Sequence, residues 1–261
     1  MKKCAVFFDI DGTLWDFRNF IPDSTRNSIR ELRKNGHYAF INTGRCTGYV
    51  RSGELLSIGF DGIVAGCGTY VSLGDEVLYY HRIGKELAVQ SVETVRRYGF
   101  RPILEGRYNI YMDDAEFDGD AYGDKLKRDL GEHLLQISEH WGEWEISKFS
   151  CATKPGRMAE CFNEMGLNYD FMVHNSTVTE FVPKGHNKGT GMEMVCRKLG
   201  VDMADSFAFG DSPNDEHMLK SAGHAIVMGG GNEQTKKLAE FVTAGIYEGG
   251  IQKGLEEYGL I

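Results

Sequence analysis

Apolar residues in this chain follow two patterns, and the order of these patterns along the sequence predicts the fold class. Short uninterrupted apolar runs are typical of strands that are buried on both faces of a parallel sheet. Such runs occur at residues 4–8, 38–41, 206–209, 225–228 and 241–243. Apolar positions at helical spacing lie between these runs, over about 24–35, 188–199 and 233–240. Because strand and helix alternate, we expect an α/β fold with an open, Rossmann-like parallel sheet.

The helical segment at about 24–35 also carries signals for its two ends. Ser24 can cap the first turn, and Ile29 and Leu32 share one face of the helix. Asn35-Gly36 can end it, because glycine readily adopts the backbone conformation that terminates helices. We therefore expect this helix to pack on the sheet through one apolar face.

The middle of the chain has a different texture, because none of its expected strands is followed directly by a Gly-Asp or Asp-Gly sequence. Helical spacing is found near 86–98, 122–137 and 156–165, and strands are expected around 101–112, 145–152 and 169–182. This mixture predicts an α+β unit at 82–182 that is inserted into another domain. Residues 1–81 and 183–261 would then form one core domain together.

Composition and charge narrow the class of protein. The chain has 261 residues, with 29 basic and 38 acidic side chains, so its net charge is −9. This balance disfavours nucleic acids and anionic membranes as partners. No apolar stretch approaches the roughly 20 residues of a membrane helix, and the apolar run after Lys3 is too short for a signal peptide. The six cysteines form no C-x-x-C pair, so we expect free thiols and a cytoplasmic location.

Polar residues follow three of the expected core strands at the point where each strand ends. They are Asp9-Ile10-Asp11-Gly12-Thr13, Thr43-Gly44-Arg45 and Gly210-Asp211-Ser212-Pro213-Asn214-Asp215, and Lys188 begins a predicted helix. Ligands of open α/β sheets bind outside the carboxyl ends of the strands, so these groups should converge. Carboxylates suit Mg²⁺, and a carboxylate can attack a phosphoryl group when a metal and a cation neutralise its charge.

Asp9 and Asp11 are two residues apart, so on an extended chain their side chains lie on one side. Gly12 then allows the backbone to turn away at once. One of the two carboxylates can attack a substrate while the other transfers protons.

These segments, in this order, resemble the four motifs of the haloacid dehalogenase superfamily of phosphohydrolases. The resemblance covers the whole chain, and the insert is similar to the α/β cap of the Cof-type sugar-phosphatase branch. It implies a Mg²⁺-dependent phosphatase whose substrate is a small phosphorylated metabolite such as a sugar phosphate. The cap, at 82–182, would contribute substrate specificity.

The resemblance also implies catalytic roles. Asp9 would be the nucleophile that forms an aspartyl-phosphate, and Asp11 would protonate the leaving oxygen and then activate water. Thr43 and the Gly44 amide would hold the transferring phosphoryl group, and Lys188 would neutralise it.

The remaining motif residues would support this chemistry. Asp9, the backbone carbonyl of Asp11 and Asp211 would bind Mg²⁺. Asp215 would orient Lys188, and Asn214 would support the metal shell or the phosphate. Arg45 is a candidate for contact with the substrate, with an exposed salt bridge as the alternative.

Several alternatives stay open at this point. A phosphomutase of the same superfamily, or a non-catalytic module that senses phosphate, would also use these residues. Asp114–Asp120 is interpreted as a solvated acidic loop in preference to a calcium site, and Gly229–Gly231 as a loop that borders the active site. Cys67-Gly68-Thr69 and Asn187 depart from the Cof-type pattern. The oligomeric state has no signal in the sequence.

Overall fold

The computed structural model of the protein describes residues 2–175 and 177–261, and it divides them into two compact units. The first unit comprises the described residues through Gly44, together with Ser52–Tyr79 and Asn187–Ile261. The second comprises Arg45–Arg51 and Tyr80–His186. The predicted division at 82 and 182 assigned residues 45–51 to the core, whereas in the structure they group with the inserted unit.

The strands and helices follow one another as the alternation of patterns predicted, with extra strands in two places. The strands are β1 (Ala5–Phe8), β2 (Tyr38–Asn42), β3 (Gly62–Ala65), β4 (Tyr70–Leu73), β5 (Glu76–Tyr80), β6 (Arg101–Glu105), β7 (Ile110–Tyr111), β8 (Leu134–Leu135), β9 (Lys148–Ala152), β10 (Tyr169–Asn175), β11 (Val178–Pro183), β12 (Ser206–Gly210), β13 (His224–Val227) and β14 (Phe241–Val242). The helices are α1 (Asp23–Lys34), α2 (Gly53–Leu56), α3 (Lys85–Arg97), α4 (Ala121–Leu130), α5 (Met158–Met165), α6 (Lys188–Leu199), α7 (Glu216–Ser221), α8 (Glu233–Lys236) and α9 (Gly250–Glu257). Among the described residues, no helix is long and apolar enough to cross a membrane.

The sheet of the first unit has the order β14-β13-β12-β1-β2-β3-β4-β5. Neighbours from β14 to β3 are parallel, which confirms the predicted α/β core. One edge of the sheet departs from the predicted parallel arrangement, because β4 runs antiparallel to β3. Residues 62–80 were not predicted as strands, since their apolar runs are short and interrupted by glycines.

Both faces of the central strands are buried, as their continuous apolar runs require. All four residues of β1 are buried, and Phe7 stacks on Phe40 of β2 with 5.2 Å between ring centroids. Helix α1 begins at Asp23 behind Pro22, so the prediction that Ser24 caps it was wrong. Pro22 presets the backbone for the first turn. The predicted end is confirmed, with Asn35 at the C-cap and Gly36 at φ 92°.

The second unit contains a six-stranded sheet in the order β10-β11-β9-β6-β7-β8. Its strand pairs are antiparallel except for β7 and β8. Helices α3 and α5 contribute Val92, Val95 and Cys161 to a core that includes Phe149 and Phe181 of the sheet. The helix predicted over 122–137 ends at Leu130, because Gly131 has φ 52° and breaks it.

The acidic segment of the second unit serves the local structure. Asp120 accepts hydrogen bonds from the amides of Tyr122 and Gly123, and so caps α4. Its other oxygen lies 2.7 Å from Arg101, and Glu116 pairs with Arg96 at 2.8 Å. These carboxylates already have partners, which agrees with the interpretation that the segment is not a calcium loop.

We expect the stability of the protein to fall below pH 6.5 in part because of His37. Its Nδ1 accepts the amide of Cys4 at 3.1 Å, so the ring must be neutral there, and burial lowers its pKa below the ordinary 6.5. The unfolded chain therefore binds a proton more readily than the folded chain as pH falls through 6.5, which favours unfolding. Loss of one such bond, about 1 kcal/mol, lowers Tm by about 2–4 °C.

The measurement is the thermal midpoint between pH 7.5 and pH 5 for the wild type and for His37→Asn. Asparagine can place an acceptor near the position of Nδ1 but does not titrate in this range. The variant should show the smaller fall in Tm. Equal falls in both proteins would remove His37 from the pH dependence.

Candidate active site

A buried lysine lies among carboxylates at the carboxyl ends of the central strands. The Lys188 ammonium donates to Oδ1 of Asp9 at 2.6 Å and to Oδ1 of Asp215 at 2.6 Å. It also lies 3.3 Å from Oδ1 of Asn214. Lys188 is only 1% exposed, so its charge is balanced by these groups and not by water. Three separate segments of the sequence are therefore held around one cation.

The fold positions this lysine through the start of α6. Asn187 caps the helix, because its side chain accepts the amide of Thr190 at 2.9 Å and the Thr190 hydroxyl accepts the Asn187 amide. The carbonyl oxygen of Lys188 accepts a hydrogen bond from Nδ2 of Asn42 at 3.0 Å. Since Asn42 ends β2, this contact joins the start of α6 to the strand beside β1.

Thr43 and Gly44 follow directly and are buried. The Thr43 amide donates to the carbonyl of Val64 at 2.9 Å, and the Thr43 carbonyl accepts a hydrogen bond from the amide of Cys67 at 3.1 Å. The Asp9 amide in turn donates to the carbonyl of Phe209 on β12 at 2.9 Å. The backbone at the ends of β1 and β2 is thus fixed by the neighbouring strands.

Asp211 follows β12 and approaches the turn after Asp11 closely. A Cβ atom at Gly12 would lie 2.3 Å from Oδ2 of Asp211, and Gly12 has φ 80°. Both facts require glycine at this position. The Oδ1 atom of Asp211 is buried and has no hydrogen-bond partner among the described residues. A buried carboxylate oxygen without a donor is costly, so this atom is suited to a cation.

Asp215 is already saturated by its neighbours. Its Oδ2 accepts the amides of Asp211 and Ser212 at 2.9 and 3.0 Å, and its Oδ1 accepts Lys188. The side chain therefore orients Lys188 and the loop after β12. Gly210 allows this arrangement, since a Cβ there would lie 2.6 Å from Cγ of Asp215.

The carboxylates of Asp9, Asp211 and Asp215 could hold a metal ion, because one oxygen of each lies within 4.8 Å of the others. Three carboxylates face a single ammonium, so the cluster carries an excess of negative charge that a divalent cation would balance. Oxygen ligands of this kind suit Mg²⁺ or Ca²⁺. As both oxygens of Asp215 are engaged, Asp9 and Asp211 have the greater capacity to bind the ion.

The electrostatics of the cluster agree with this interpretation. Burial, reinforced by the charge of Asp215, raises the pKa of Asp211 to about 7. Burial also raises the pKa of Asp9, against the opposing effect of Lys188. Burial alone would lower the pKa of Lys188, but the carboxylates of Asp215 and Asp9 outweigh it and raise that pKa. The lysine is therefore charged at neutral pH, and the carboxylates are held at a cost that a further cation would relieve.

Asp11 is exposed and is not one of the three carboxylates of this cluster. Its Oδ1 accepts a hydrogen bond from Nε1 of Trp15 at 2.9 Å. An exposed carboxylate near a buried one can exchange protons with a bound molecule and with water, which a buried metal ligand cannot do easily. The two aspartates of the first motif thus have different surroundings.

The structure brings together most of the residues that the sequence singled out. Asp9, Lys188, Asp211, Asn214 and Asp215 form one cluster, and Thr43 and Gly44 lie at the end of the strand next to β1. Arg45 groups with the second unit, so its contact with a substrate stays a prediction.

Sequence reasoning gave no role to two residues whose side chains contact residues of the site, Asn42 and Trp15. Asn42 directly precedes Thr43, and this adjacency could have indicated that Asn42 also belongs to the site. Trp15 had no signal, because its importance lies in the direction of its indole.

The two departures from the Cof-type pattern are accommodated by local geometry. Cys67 has φ 56°, and a Cβ at Gly68 would lie 2.3 Å from the carbonyl oxygen of Asn187.

The glycine loop at 229–231 lies close to Asp211. A Cβ at Gly231 would lie 2.8 Å from the carbonyl oxygen of Asp211, and the same oxygen accepts a hydrogen bond from the amide of Asn232. The glycine loop therefore borders the site, as the sequence predicted.

Comparison with known proteins identifies relatives along the whole chain. A family model described as haloacid dehalogenase-like hydrolase matches residues 6–255. YkrA of Bacillus subtilis (strain 168) is 29% identical over 264 residues, which cover 100% of both chains. The 5-amino-6-(5-phospho-D-ribitylamino)uracil phosphatase YitU of the same strain is 26% identical, with 98% of each chain covered. Among solved structures, the HAD subclass IIB sugar phosphatase BT4131 has a TM-score of 0.84 at 26% identity, with 100% of both chains covered.

Proposed function

Because the chain belongs to the haloacid dehalogenase-like hydrolases and is a phosphatase, we propose that it hydrolyses a small phosphomonoester with Mg²⁺ and an aspartyl-phosphate at Asp9. The observation that carries the proposal is the buried Lys188 ammonium, 2.6 Å from both Asp9 and Asp215, beside the unpartnered oxygen of Asp211. A dianionic phosphoryl group is repelled by a carboxylate unless positive charge lies at the point of attack.

In the first step, a carboxylate oxygen of Asp9 attacks phosphorus, and the bond to the ester oxygen breaks. Lys188 offsets the charge of the transferring group, and the Thr43 hydroxyl and Gly44 amide donate to its oxygens. Asp11 supplies the proton that the leaving alkoxide needs. The products of this step are a free alcohol and phosphorylated Asp9.

In the second step, water attacks the phosphorus of the aspartyl-phosphate. Asp11 is now ionised and takes a proton from that water, and the Asp9 carboxylate leaves. Phosphate is released, and both aspartates return to their starting protonation states. The exposure of Asp11 suits a group that must meet both an alcohol and water.

The donor set fits the metal ion of this proposal. The side chains of Asp9 and Asp211 and the carbonyl of Asp11 would hold Mg²⁺, which supplies charge neutralisation for the phosphoryl group. Both carboxylate oxygens of Asp215 already accept hydrogen bonds, from Lys188 and from two backbone amides. Oδ1 of Asn214 accepts hydrogen bonds from the Lys188 ammonium and, at 2.9 Å, from the Ser212 hydroxyl. Both would act through Lys188 and the loop after β12.

For the substrate, we propose a phosphorylated polyol or sugar. The support is the likeness to a structure named as a sugar phosphatase and to a relative whose name specifies a phosphorylated ribityl compound. The test is a panel of phosphorylated metabolites with purified protein, with and without Mg²⁺. Phosphate release from sugar phosphates with water as the only acceptor supports hydrolysis. Release only when an acceptor alcohol is present would indicate a mutase, and no release from any compound would indicate a phosphate-sensing module.

We expect removal of divalent metal to reduce turnover by roughly 10³-fold, because a bound metal contributes several kcal/mol of charge stabilisation at a phosphoryl group. The measurement is hydrolysis of p-nitrophenyl phosphate after dialysis against EDTA, followed by titration with Mg²⁺. Asp211→Asn should need a higher Mg²⁺ concentration for half-maximal activity. Full activity in EDTA would contradict the metal requirement.

A further inference from the structure

The indole of Trp15 is aimed at the exposed carboxylate of Asp11. Nε1 of Trp15 lies 2.9 Å from Oδ1 of Asp11, and Trp15 is only 4% exposed. A buried ring on a fixed turn thus donates to one oxygen of an exposed carboxylate. Nothing in the four motifs calls for an aromatic residue at this position.

The backbone of the turn fixes the direction of the indole. The amides of Leu14 and Trp15 donate to the carbonyl of Ile10 at 3.0 and 3.1 Å, and the Gly12 amide donates to the carbonyl of Trp15 at 2.9 Å. These bonds bring Trp15 beside Asp11. The ring therefore has little freedom to move away from the carboxylate.

The next residue secures the other side of the turn. Oδ1 of Asp16 accepts the amides of Arg18 and Phe20 at 2.8 and 2.9 Å, and Oδ2 accepts the Tyr247 hydroxyl. Asp16 is buried as well. Both flanks of Trp15 are consequently held by hydrogen bonds within the first unit.

We propose that Trp15 is a positioning residue that presents Oδ2 of Asp11 as the proton-donating oxygen of the reaction. An indole N–H can only donate, so the oxygen that it contacts must act as an acceptor. The carbonyl oxygen of a carboxylic acid accepts a hydrogen bond better than its hydroxyl oxygen, so contact with Trp15 favours Oδ1 as the carbonyl oxygen and places the proton on Oδ2. This inference rests on the proposed function, in which Asp11 protonates the leaving alcohol.

A purely structural role makes a different prediction. Buried tryptophans usually find a partner for the N–H, and Asp11 could serve only that purpose. Loss of the bond would then disturb the turn and reduce the turnover of every substrate alike. A positioning role lowers kcat/KM only where the leaving group needs a proton, because kcat/KM covers the steps through departure of that group and not the later attack of water.

The experiment is Trp15→Phe, which keeps a large apolar ring but removes the donor. We compare kcat/KM for a sugar phosphate, whose alkoxide must be protonated, with kcat/KM for p-nitrophenyl phosphate, whose leaving group is a stable anion at neutral pH. General acid catalysis contributes about 10²–10⁴-fold, and a small displacement of the acid can remove much of it. We expect a loss of roughly 10–100-fold for the sugar phosphate and less than about 3-fold for the aryl phosphate.

The matched control is Trp144→Phe. Trp144 is also buried and also donates from Nε1, to the carbonyl of Ile137 at 3.1 Å, but it lies in the apolar core of the second unit. Its substitution should leave the ratio between the two substrates at the wild-type value. Because the ratio is measured on one sample, the fraction of folded enzyme does not affect it.

A second comparison tests whether Trp15 acts through Asp11. Asp11→Asn should show the same preference for the aryl phosphate, and adding Trp15→Phe to it should change the ratio little further. An equal loss for both substrates in Trp15→Phe, or a full further loss in the double variant, would overturn the proposal. Failure of the wild type to hydrolyse either substrate would instead overturn the proposed function.

A measurement on the intact chain covers the case in which Trp15→Phe does not fold. The chain has three tryptophans, so an ¹⁵N spectrum shows three indole N–H signals at most. The Trp144 signal is identified as the one that is lost in Trp144→Phe. In Asp11→Asn, the Trp15 signal should shift and the Trp144 signal should keep its position. Unchanged indole signals in Asp11→Asn would show that the contact is absent in solution.

Discussion

Asp9→Asn is expected to reduce turnover by roughly 10⁴-fold or more while the protein remains folded. The amide of asparagine is a poor nucleophile, so no aspartyl-phosphate can form at this position. The fold should persist because burial already raises the pKa of Asp9, which means that the charged form is held at a cost. We expect Tm to be equal to or above that of the wild type.

The measurements are steady-state hydrolysis with Mg²⁺, Tm, and mass spectrometry of the peptide that contains Asp9 after an acid quench. The wild type should yield a phosphorylated peptide, and Asp9→Asn should not. Asp129→Asn is the control, since Asp129 is exposed on α4 and forms a surface ion pair with Lys125 at 2.8 Å. Turnover of Asp9→Asn within tenfold of the wild type would exclude Asp9 as the nucleophile.

Lys188→Met should abolish most activity and, in contrast, lower stability. Its ammonium is 2.6 Å from both Asp9 and Asp215, so removal leaves buried carboxylates without a counter-charge. Breaking a buried ion pair in this way typically costs about 3–5 kcal/mol. The corresponding fall in Tm is on the order of 10 °C for a chain of this size. Loss of positive charge at the phosphoryl group should lower turnover by roughly 10³-fold.

Lys198→Met provides the control on the same helix. Lys198 is exposed and pairs with Glu76 at 2.8 Å, a surface contact that contributes little. Adding Asp9→Asn to Lys188→Met should restore part of the lost Tm, because it removes one of the uncompensated charges. A Lys188→Met protein with wild-type Tm and kcat would contradict both the electrostatic and the catalytic role.

The fold was predictable where burial alone determines the pattern. The apolar runs placed β1, β2, β12 and β13 within one residue of their ends, because strands buried on both faces consist mainly of apolar residues. The antiparallel strand β4 was not predicted. The prediction relied on helices that connect parallel strands, and a hairpin such as β3–β4 contains no such helix. The 122–137 helix was overextended for a related reason, because apolar spacing continues past the residue at which Gly131 breaks the helix.

The site was predictable in membership but less so in geometry. Parallel strands bring their carboxyl ends to one edge, which is why Asp9 and Asp211 could be paired across two hundred residues. The saturation of Asp215 by Lys188 and two amides depends on side-chain directions that spacing does not encode. The same holds for Trp15, whose indole reaches Asp11 through the turn after β1.

The two neighbours of β1 in the sheet determine when this strand can complete its pairing during translation. On one side β1 pairs with β2, but on the other its partner is β12, with Ala5 opposite Ser206. A ribosome must therefore synthesise nearly the whole protein before that flank of β1 is covered. Until then the strand exposes an edge that can recruit other chains, and contacts so distant in sequence form slowly. Nascent chains that stall before Ser206 should accordingly need chaperones to stay in solution and should aggregate without them, even when their second unit has folded.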